Sequence, residues 1–313
     1  MAEGGRPAAV LIAGPTASGK SALALALAAR IGGIVINADS MQVYRELRIL
    51  TARPGPDDED TAPHRLYGHV PAAEAYSVGR WLDDLASVLA EARGSGAVPI
   101  VVGGTGLYVT AATTGLAAIP DIPPEIREEL RAEAARLHPA ALHARLAVED
   151  PAMAARLRPS DPQRILRALE VLRATGRSLA TWQADPLSPP LIGPDAVRLV
   201  LAPDRALLRA RIDARFEAMM AEGALDEVRA LAALGLDPAL PAMRALGVAE
   251  LRAALAGAMP LGEATTRATA ETRRFAKRQQ TWFRNRMADW PRLDPLGPGV
   301  SAWLGGFAPT RDR

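Results

Sequence analysis

Gly14-Pro15-Thr16-Ala17-Ser18-Gly19-Lys20-Ser21 fits the pattern G-x-x-x-x-G-K-[ST]. In such a loop the backbone N–H groups turn inward as an anion nest, and the helix that follows adds its positive end. The Lys20 ammonium reaches the outer phosphates and the Ser21 hydroxyl ligates Mg²⁺. This chemistry holds a diphosphate or triphosphate but does not name a reaction. Asp39, in Asn37-Ala38-Asp39-Ser40, can bind an acceptor or take its proton, or can simply form an Asx turn. Thr105, in Gly103-Gly104-Thr105-Gly106, reads by itself as part of a Gly-rich turn. With no Cys in the chain, a disulfide, a thiolate nucleophile and Cys-ligated zinc are all excluded. Four scattered His show no metal-ligand spacing.

The elements that must position these residues alternate. Residues 8–13 form an apolar strand before the phosphate loop, and 21–30 are helix formers after it. Residues 34–36 form a second strand that ends at Asn37. Residues 78–92 are helical, and 99–102 form a third strand running into Gly103. Strands alternating with helices, with Gly-rich loops at strand ends, predict a parallel sheet with sites along one edge. Residues 124–180 are almost all helix-forming, and a Pro-rich break (Pro186, Pro189, Pro190, Pro194) ends them. Residues 196–201 then read as another strand of the same sheet. The expected fold is therefore α/β: a P-loop NTPase-like parallel sheet flanked by helices, with an inserted all-helical module and a helical C-terminal part. The expected boundaries are 1–119 and 196–290 for the core and 120–195 for the insertion. A Gly/Pro-rich loose tail is expected over 291–313.

The 37 basic residues include only two Lys, Lys20 and Lys277, and 35 acids bring the net charge to +2. That excludes a bulk polycation but not a local basic patch. Residues 271–286 form such a patch, with Arg273, Arg274, Lys277, Arg278, Arg284 and Arg286 against Glu271 alone. Arg274, Lys277, Arg278 and Thr281 share one helical stripe. Such a stripe is either a surface for RNA phosphates or a solvated face with Trp282 in the core. Asp161-Pro162 opens another helix, whose Gln163-Arg164-Ile165-Leu166-Arg167 carries Arg164 and Arg167 on one face. No stretch approaches the roughly 18 apolar residues of a membrane span, and Glu3 with a short apolar run does not make a secretory signal. A cytoplasmic monomer is expected.

Six segments occur in a distinctive order: residues 14–21, Asn37-Ala38-Asp39-Ser40-Met41-Gln42-Val43-Tyr44, Pro63-His64-Arg65-Leu66, residues 102–108, residues 161–170, and Lys277-Arg278-Gln279-Gln280-Thr281-Trp282-Phe283. From about residue 8 to 290 the chain resembles the tRNA isopentenyltransferase family, the bacterial tRNA dimethylallyltransferases. The resemblance implies transfer of a dimethylallyl group from dimethylallyl diphosphate to the exocyclic amine of the adenosine 3′ of a tRNA anticodon, with Mg²⁺ as cofactor. It makes residues 14–21 the diphosphate hold, with Ser21 on the metal. Asp39 becomes the general base, Thr105 a residue of the reaction channel, and Arg215 a charge on the departing diphosphate. Contacts to tRNA are implied for Asp39, Ser40, Met41, Gln42, Thr105, Arg127, residues 163–167, Lys277 and Arg278. They are also implied for Arg244-Ala245-Leu246-Gly247-Val248, although Val248 stands where the family commonly has an aromatic.

Residue chemistry supports the same reaction. The adenine amine is a poor nucleophile, so attack on an allylic carbon needs a stabilised leaving group and a placed base. The adenine must also leave its stack to reach the carbon. Three alternatives stay open. A small-molecule kinase shares the loop, Asp39 and the core. An enzyme prenylating free AMP shares the chemistry without needing Arg164 and Arg167. A non-catalytic RNA-binding protein needs neither.

Overall fold

The computed structural model of the chain describes residues 6–185 and 187–309. It divides into two compact units, Met1–Thr113 with Leu191–Arg313, and Thr114–Pro190. The first unit opens with β1 (Val10–Ala13), α1 (Lys20–Ile31), β2 (Gly33–Asn37), α2 (Pro56–Thr61), β3 (His64–Arg65), α3 (Val78–Ser95), β4 (Val98–Gly103) and α4 (Gly106–Thr114). The second holds α5 (Pro124–Ala134), α6 (Pro139–Glu149), α7 (Pro151–Ala154), α8 (Pro162–Thr175) and α9 (Leu179–Trp182). The chain then returns to the first unit with β5 (Val197–Leu201), α10 (Arg205–Ala221), α11 (Ala224–Ala233), a 3₁₀ turn at Pro241–Arg244, α12 (Val248–Leu255), α13 (Leu261–Arg286), β6 (Arg292–Leu293) and α14 (Gly299–Gly305).

All six strands run parallel in the order β3-β2-β4-β1-β5-β6. Side chains alternate across the pleat. Val10 and Ile12 pack with Leu23 and Leu27 of α1 on one face, while Leu11 and Ala13 pack with Trp81 and Phe283 on the other. Because both faces are covered, the strands read as continuous apolar runs. This strand order sets the loops that leave β2, β4 and β1 side by side at one sheet edge. Those loops carry Asp39, Thr105 and the phosphate loop.

The helical unit has its own core of Leu130, Leu142, Leu146, Ile165 and Leu169. It begins at Thr114 and ends at Pro190, earlier at both ends than the expected 120–195. Leu116 and Ser188 close its base by exchanging two hydrogen bonds, Leu116 N–H to Ser188 Oγ and Ser188 N–H to Leu116 O. Ile192 is buried in the core of the first unit, which draws the residues after 190 there. Pro186 of the predicted break lies outside the described residues.

The loose tail expected over 291–313 is corrected across 291–309. Val200 and Leu201 pair with Arg292 and Leu293, adding β6 to the sheet edge. Phe307 is buried against Trp303 beside α1, and Arg30 Nε donates to its carbonyl at 2.8 Å. Gly and Pro here shape turns between short elements rather than leaving the chain free. Residues 310–313 lie outside the described residues. The edge strand β3 is missing from the sequence reading because His64-Arg65 has no apolar run. Among the described residues no helix is long and apolar enough to cross a membrane.

Candidate functional site

The phosphate loop turns from β1 into α1 through two left-handed residues, Ala17 at φ 61° and Gly19 at φ 88°. Gly19 is the N-cap of α1, so the first N–H groups of the helix face the loop without a side-chain cap. Lys20 Nζ donates to Pro15 O at 3.4 Å, folding the ammonium back over the loop.

The neighbouring strand end positions Asp39. Asn37 is fully buried, and its Nδ2 donates to Asp39 O and Leu66 O at 2.9 and 3.0 Å. Its Oδ1 accepts from Asp39 N–H at 2.7 Å. The Asx turn read as the plain alternative for Asp39 does form, since Met41 N–H donates to Asp39 Oδ1 at 3.0 Å. Only one carboxylate oxygen is used in that turn. Thr105 holds the same loop from β4. Its hydroxyl accepts from Ser40 N–H at 2.9 Å and donates to Ser40 Oγ at 3.2 Å, and its N–H donates to Ala38 O. A side chain at Gly103 would collide with the Ala38 carbonyl, so the two loops touch only because residue 103 is Gly.

Two cavities meet at Asp39. One, of about 390 Å³, lies over the phosphate loop and is lined by Gly19, Lys20, Ser21, Asp39, Arg211 and Arg215. The other, of about 280 Å³, is mainly apolar and includes Leu50, Phe216, Met219, Leu246 and Phe275. Thr16, Asp39, Thr51 and Arg215 line both. Arg215 comes from α10, which Asp204 caps by accepting from Ala206 and Leu207 N–H. Its guanidinium donates to Thr16 Oγ1. Arg273 of α13 grips Asp213 with two bonds, at 2.8 and 2.5 Å, and so fixes α10 against α13.

Electrostatics mark the loop cavity as a place for an anion. Lys20, Arg211 and Arg215 face Asp39 there, and among the described residues Asp39 makes no ion pair. Burial lowers the Lys20 ammonium to about 8, against a raising effect of Asp39 and with a further lowering by Arg215. Burial also lowers the Arg215 guanidinium, Asp39 raises it, and Arg211 lowers it further. An anion beside Lys20 favours its charged form, so binding raises its pKa. A group whose pKa is raised by binding strengthens binding below its free value and loses that contribution above it. The Lys20 contribution to inorganic diphosphate affinity, read as the ratio of the parent to Lys20→Met so that the ligand's own protonation cancels, is therefore expected to be constant below pH 7. It should fall by up to about tenfold per pH unit above 8, with proton uptake visible by calorimetry in buffers of different ionisation heat. A flat profile to pH 9.5 would take Lys20 out of the anion site.

The donor set fits magnesium but not a protein-caged metal. No group of three or more His, Asp or Glu able to hold a metal exists among the described residues. Ser21 supplies an exposed hydroxyl to the phosphate cavity, and Mg²⁺ commonly takes one or two protein oxygens with phosphate and water.

Gln279 lies in one of the six segments, yet its part in the site is not given by the sequence. It is buried in α13 among cationic neighbours, and its Oε1 accepts from Thr16 N–H at 2.8 Å. Its Nε2 donates to Gly104 O, also at 2.8 Å. One side chain thus ties the phosphate loop to the β4 loop, and a side chain at Gly104 would strike it. Gln279→Ala leaves two backbone groups unpaired, an expected loss of about 2–4 kcal/mol by chemical denaturation. It should also weaken diphosphate binding, which Gln279→Glu restores only in part.

The basic stripe of α13 is real: Arg274, Lys277, Arg278 and Thr281 are exposed, opposite the buried Ala268, Thr272, Ala276 and Phe283. Arg278 also lines the apolar cavity, as do Met41, Ser40, Arg244 and Ala245. Gln42 is buried, lines the phosphate cavity and donates to Thr51 O and Ala52 O at 2.9 Å. Val248 is fully buried, which corrects its expected RNA contact to packing in the core, and Gly247 at φ 89° is the left-handed N-cap of α12. Arg127, Gln163, Arg164, Ile165, Leu166 and Arg167 belong to the other unit. There Arg164 is exposed beside Asp161, and Arg167 lies 3.6 Å from Glu170. Arg127 Nε is buried without a hydrogen-bond partner among the described residues. Ile165 is a core residue of that unit, which corrects its expected place on an RNA surface; its helix position turns it inward, away from Arg164.

The IPP transferase family model matches residues 42–286, and the isopentenyl transferase model matches residues 7–68. The tRNA dimethylallyltransferase of Nitrobacter hamburgensis is 58% identical over 295 residues, covering 94% of this chain and 93% of that one. That of Rhodopseudomonas palustris strain BisA53 is 57% identical over 307 residues, covering 97% and 93%. The crystal structure of the full-length tRNA isopentenylpyrophosphate transferase from Bacillus halodurans superposes with a TM-score of 0.68 at 33% identity, covering 96% and 95%. A eukaryotic dimethylallyltransferase acting on tRNA superposes at 0.79 with 25% identity, covering 97% and 81%.

Proposed function

This chain belongs to the IPP transferase family, whose named members prenylate tRNA, and we propose that it moves a dimethylallyl group from dimethylallyl diphosphate to the exocyclic amine of the adenosine 3′ of the tRNA anticodon, releasing diphosphate. The observation that carries this reading is the junction of the two cavities. A cationic chamber over the phosphate loop and an apolar chamber meet at one carboxylate and one guanidinium, Asp39 and Arg215. Such a junction suits a substrate that is diphosphate at one end and hydrocarbon at the other, with the bond to be broken between them.

The loop N–H groups, Lys20 and Arg215 hold the diphosphate and take up the charge that develops as the allylic C–O bond breaks. The adenine, lifted from its stack, enters by the apolar chamber, where Phe275 and Leu246 offer apolar walls and Arg278 a guanidinium. The amine nitrogen forms the new C–N bond, and Asp39 takes the proton released from it. Thr105 acts through the Ser40 loop, keeping that carboxylate aimed at the amine. Ser21 would help hold a Mg²⁺ ion beside the diphosphate, and that ion would supply further positive charge for the leaving group. No phosphoryl group moves, so the phosphate loop serves as an anion hold. Arg127, Gln163, Arg164 and Arg167 of the helical unit, with Lys277 and Arg278, bind the anticodon stem-loop through phosphates and loop bases. The reading places the enzyme in the cytoplasm, working as a monomer.

The test is incubation with labelled dimethylallyl diphosphate, Mg²⁺ and unmodified tRNA, with AMP as a competing acceptor. Label on adenosine of tRNA, and none on AMP, is the expected outcome. Turnover of ATP without transfer would replace this reading with a kinase.

A further inference from the structure

Of the three cations that line the phosphate cavity among the described residues, Lys20, Arg211 and Arg215, Arg211 has no role in the reaction just described. It stands four residues before Arg215 on α10, one helical turn away on the same face. It lines the phosphate cavity but not the apolar one, whereas Arg215 lines both. Its Nη2 lies 3.4 Å from where a side chain at Gly19 would begin, beside the N-terminus of α1. Its Nη1 is buried and has no hydrogen-bond partner among the described residues. A buried guanidinium nitrogen without a partner is costly, and one placed beside two other cations is costlier. Asp39, the acid lining this cavity, forms no ion pair with any of the three among the described residues. Such an arrangement is stabilised by a multiply charged anion with oxygens to spare.

We infer that Arg211 grips the terminal phosphate of the diphosphate, while Arg215 serves the phosphate at the reacting carbon. The division follows from position. Arg215 borders the chamber where the carbon must lie, and Arg211 sits at the Gly19 end, away from it. The planar guanidinium offers two parallel donors to phosphate oxygens, a geometry that an ammonium lacks. Arg211 is thus a binding residue that distinguishes diphosphate from monophosphate, and its contact persists in the released product. This inference rests on the transfer reaction proposed above.

The experiment pairs Arg211→Gln with Arg211→Lys. Calorimetry with inorganic diphosphate and orthophosphate measures discrimination directly, and steady-state transfer to tRNA gives KM and kcat. Arg211→Gln should raise KM for dimethylallyl diphosphate and the inhibition constant of inorganic diphosphate by about tenfold or more. It should weaken orthophosphate binding far less, and leave KM for tRNA near that of the parent. The lower kcat effect relative to KM separates it from a general loss of fold, and Arg211→Lys should recover part of the affinity. Unchanged discrimination between diphosphate and orthophosphate in a variant that still transfers would overturn the inference. If the parent enzyme transfers nothing, the reaction falls, yet the calorimetry still decides whether Arg211 holds the second phosphate.

Discussion

Asp39→Asn is expected to lower kcat for transfer by about 10²–10⁴-fold, the range lost with a positioned general base, while tRNA affinity stays close to that of the parent. Asn keeps the shape of the side chain and can still accept from Met41 N–H, so the Asx turn that shapes the loop survives. What it loses is the ability to take a proton from the amine. The diphosphate should bind at least as well as before. Asp39 is the negative group among three cations at the loop, and removing it leaves the cavity more attractive to an anion. The same change removes an influence that raises the Lys20 ammonium, so the fall in the Lys20 contribution to diphosphate affinity with rising pH should begin below its normal onset near 8. Slow transfer, undiminished diphosphate binding and an earlier alkaline loss identify a base at the junction. Retention of parental kcat would instead leave Asp39 as a turn-forming residue.

The parts of this site legible in the sequence are those encoded locally. A strand, a Gly-rich turn and a helix start lie within a single stretch of chain at residues 10–31, and the spacing of Gly14, Gly19 and Lys20 is fixed by the backbone itself. The positions of Asp39 and Thr105 are legible because each follows an apolar strand and parallel topology delivers strand ends to one edge, whereas a role for Thr105 comes only from the family resemblance. Gln279 is different. Its two partners are Thr16 and Gly104, far away along the chain, and nothing near it announces them. Glu227 is a second case: its carboxylate accepts from the N–H groups of Arg48, Ile49 and Leu50 at 2.7 to 3.0 Å, setting a wall of the apolar cavity from a remote helix. Arg211 falls between these cases. Its helical spacing from Arg215 is visible in the sequence, but the burial of its Nη1 without a partner among the described residues is not. Ile165 and Val248 show the converse. Segments read as RNA surfaces contain residues that helix periodicity turns into the core, so a motif identifies a neighbourhood and not every side chain in it.

Arg215→Gln is the second large effect expected, a loss of about 10²–10³-fold in kcat, with a smaller change in KM for dimethylallyl diphosphate. The reason is where its charge stands. Arg215 borders both chambers, so it faces the oxygen on which charge appears as the allylic bond breaks. An interaction that strengthens as the bond breaks lowers the barrier more than it tightens the ground state. Arg211, confined to the phosphate chamber, should show the opposite balance. The bond from Arg215 to Thr16 Oγ1 supplies a check that separates charge from placement. Thr16→Val keeps the guanidinium but releases its anchor, and should lower kcat by less than Arg215→Gln does. Arg215→Lys keeps the charge but loses the fork, and should fall between the two. Single-turnover measurements read the chemical step without product release. Should both Arg215 variants change KM alone there, with the chemical step at the parental rate, the leaving-group charge would have to be carried by Lys20, the loop amides and Mg²⁺ without it.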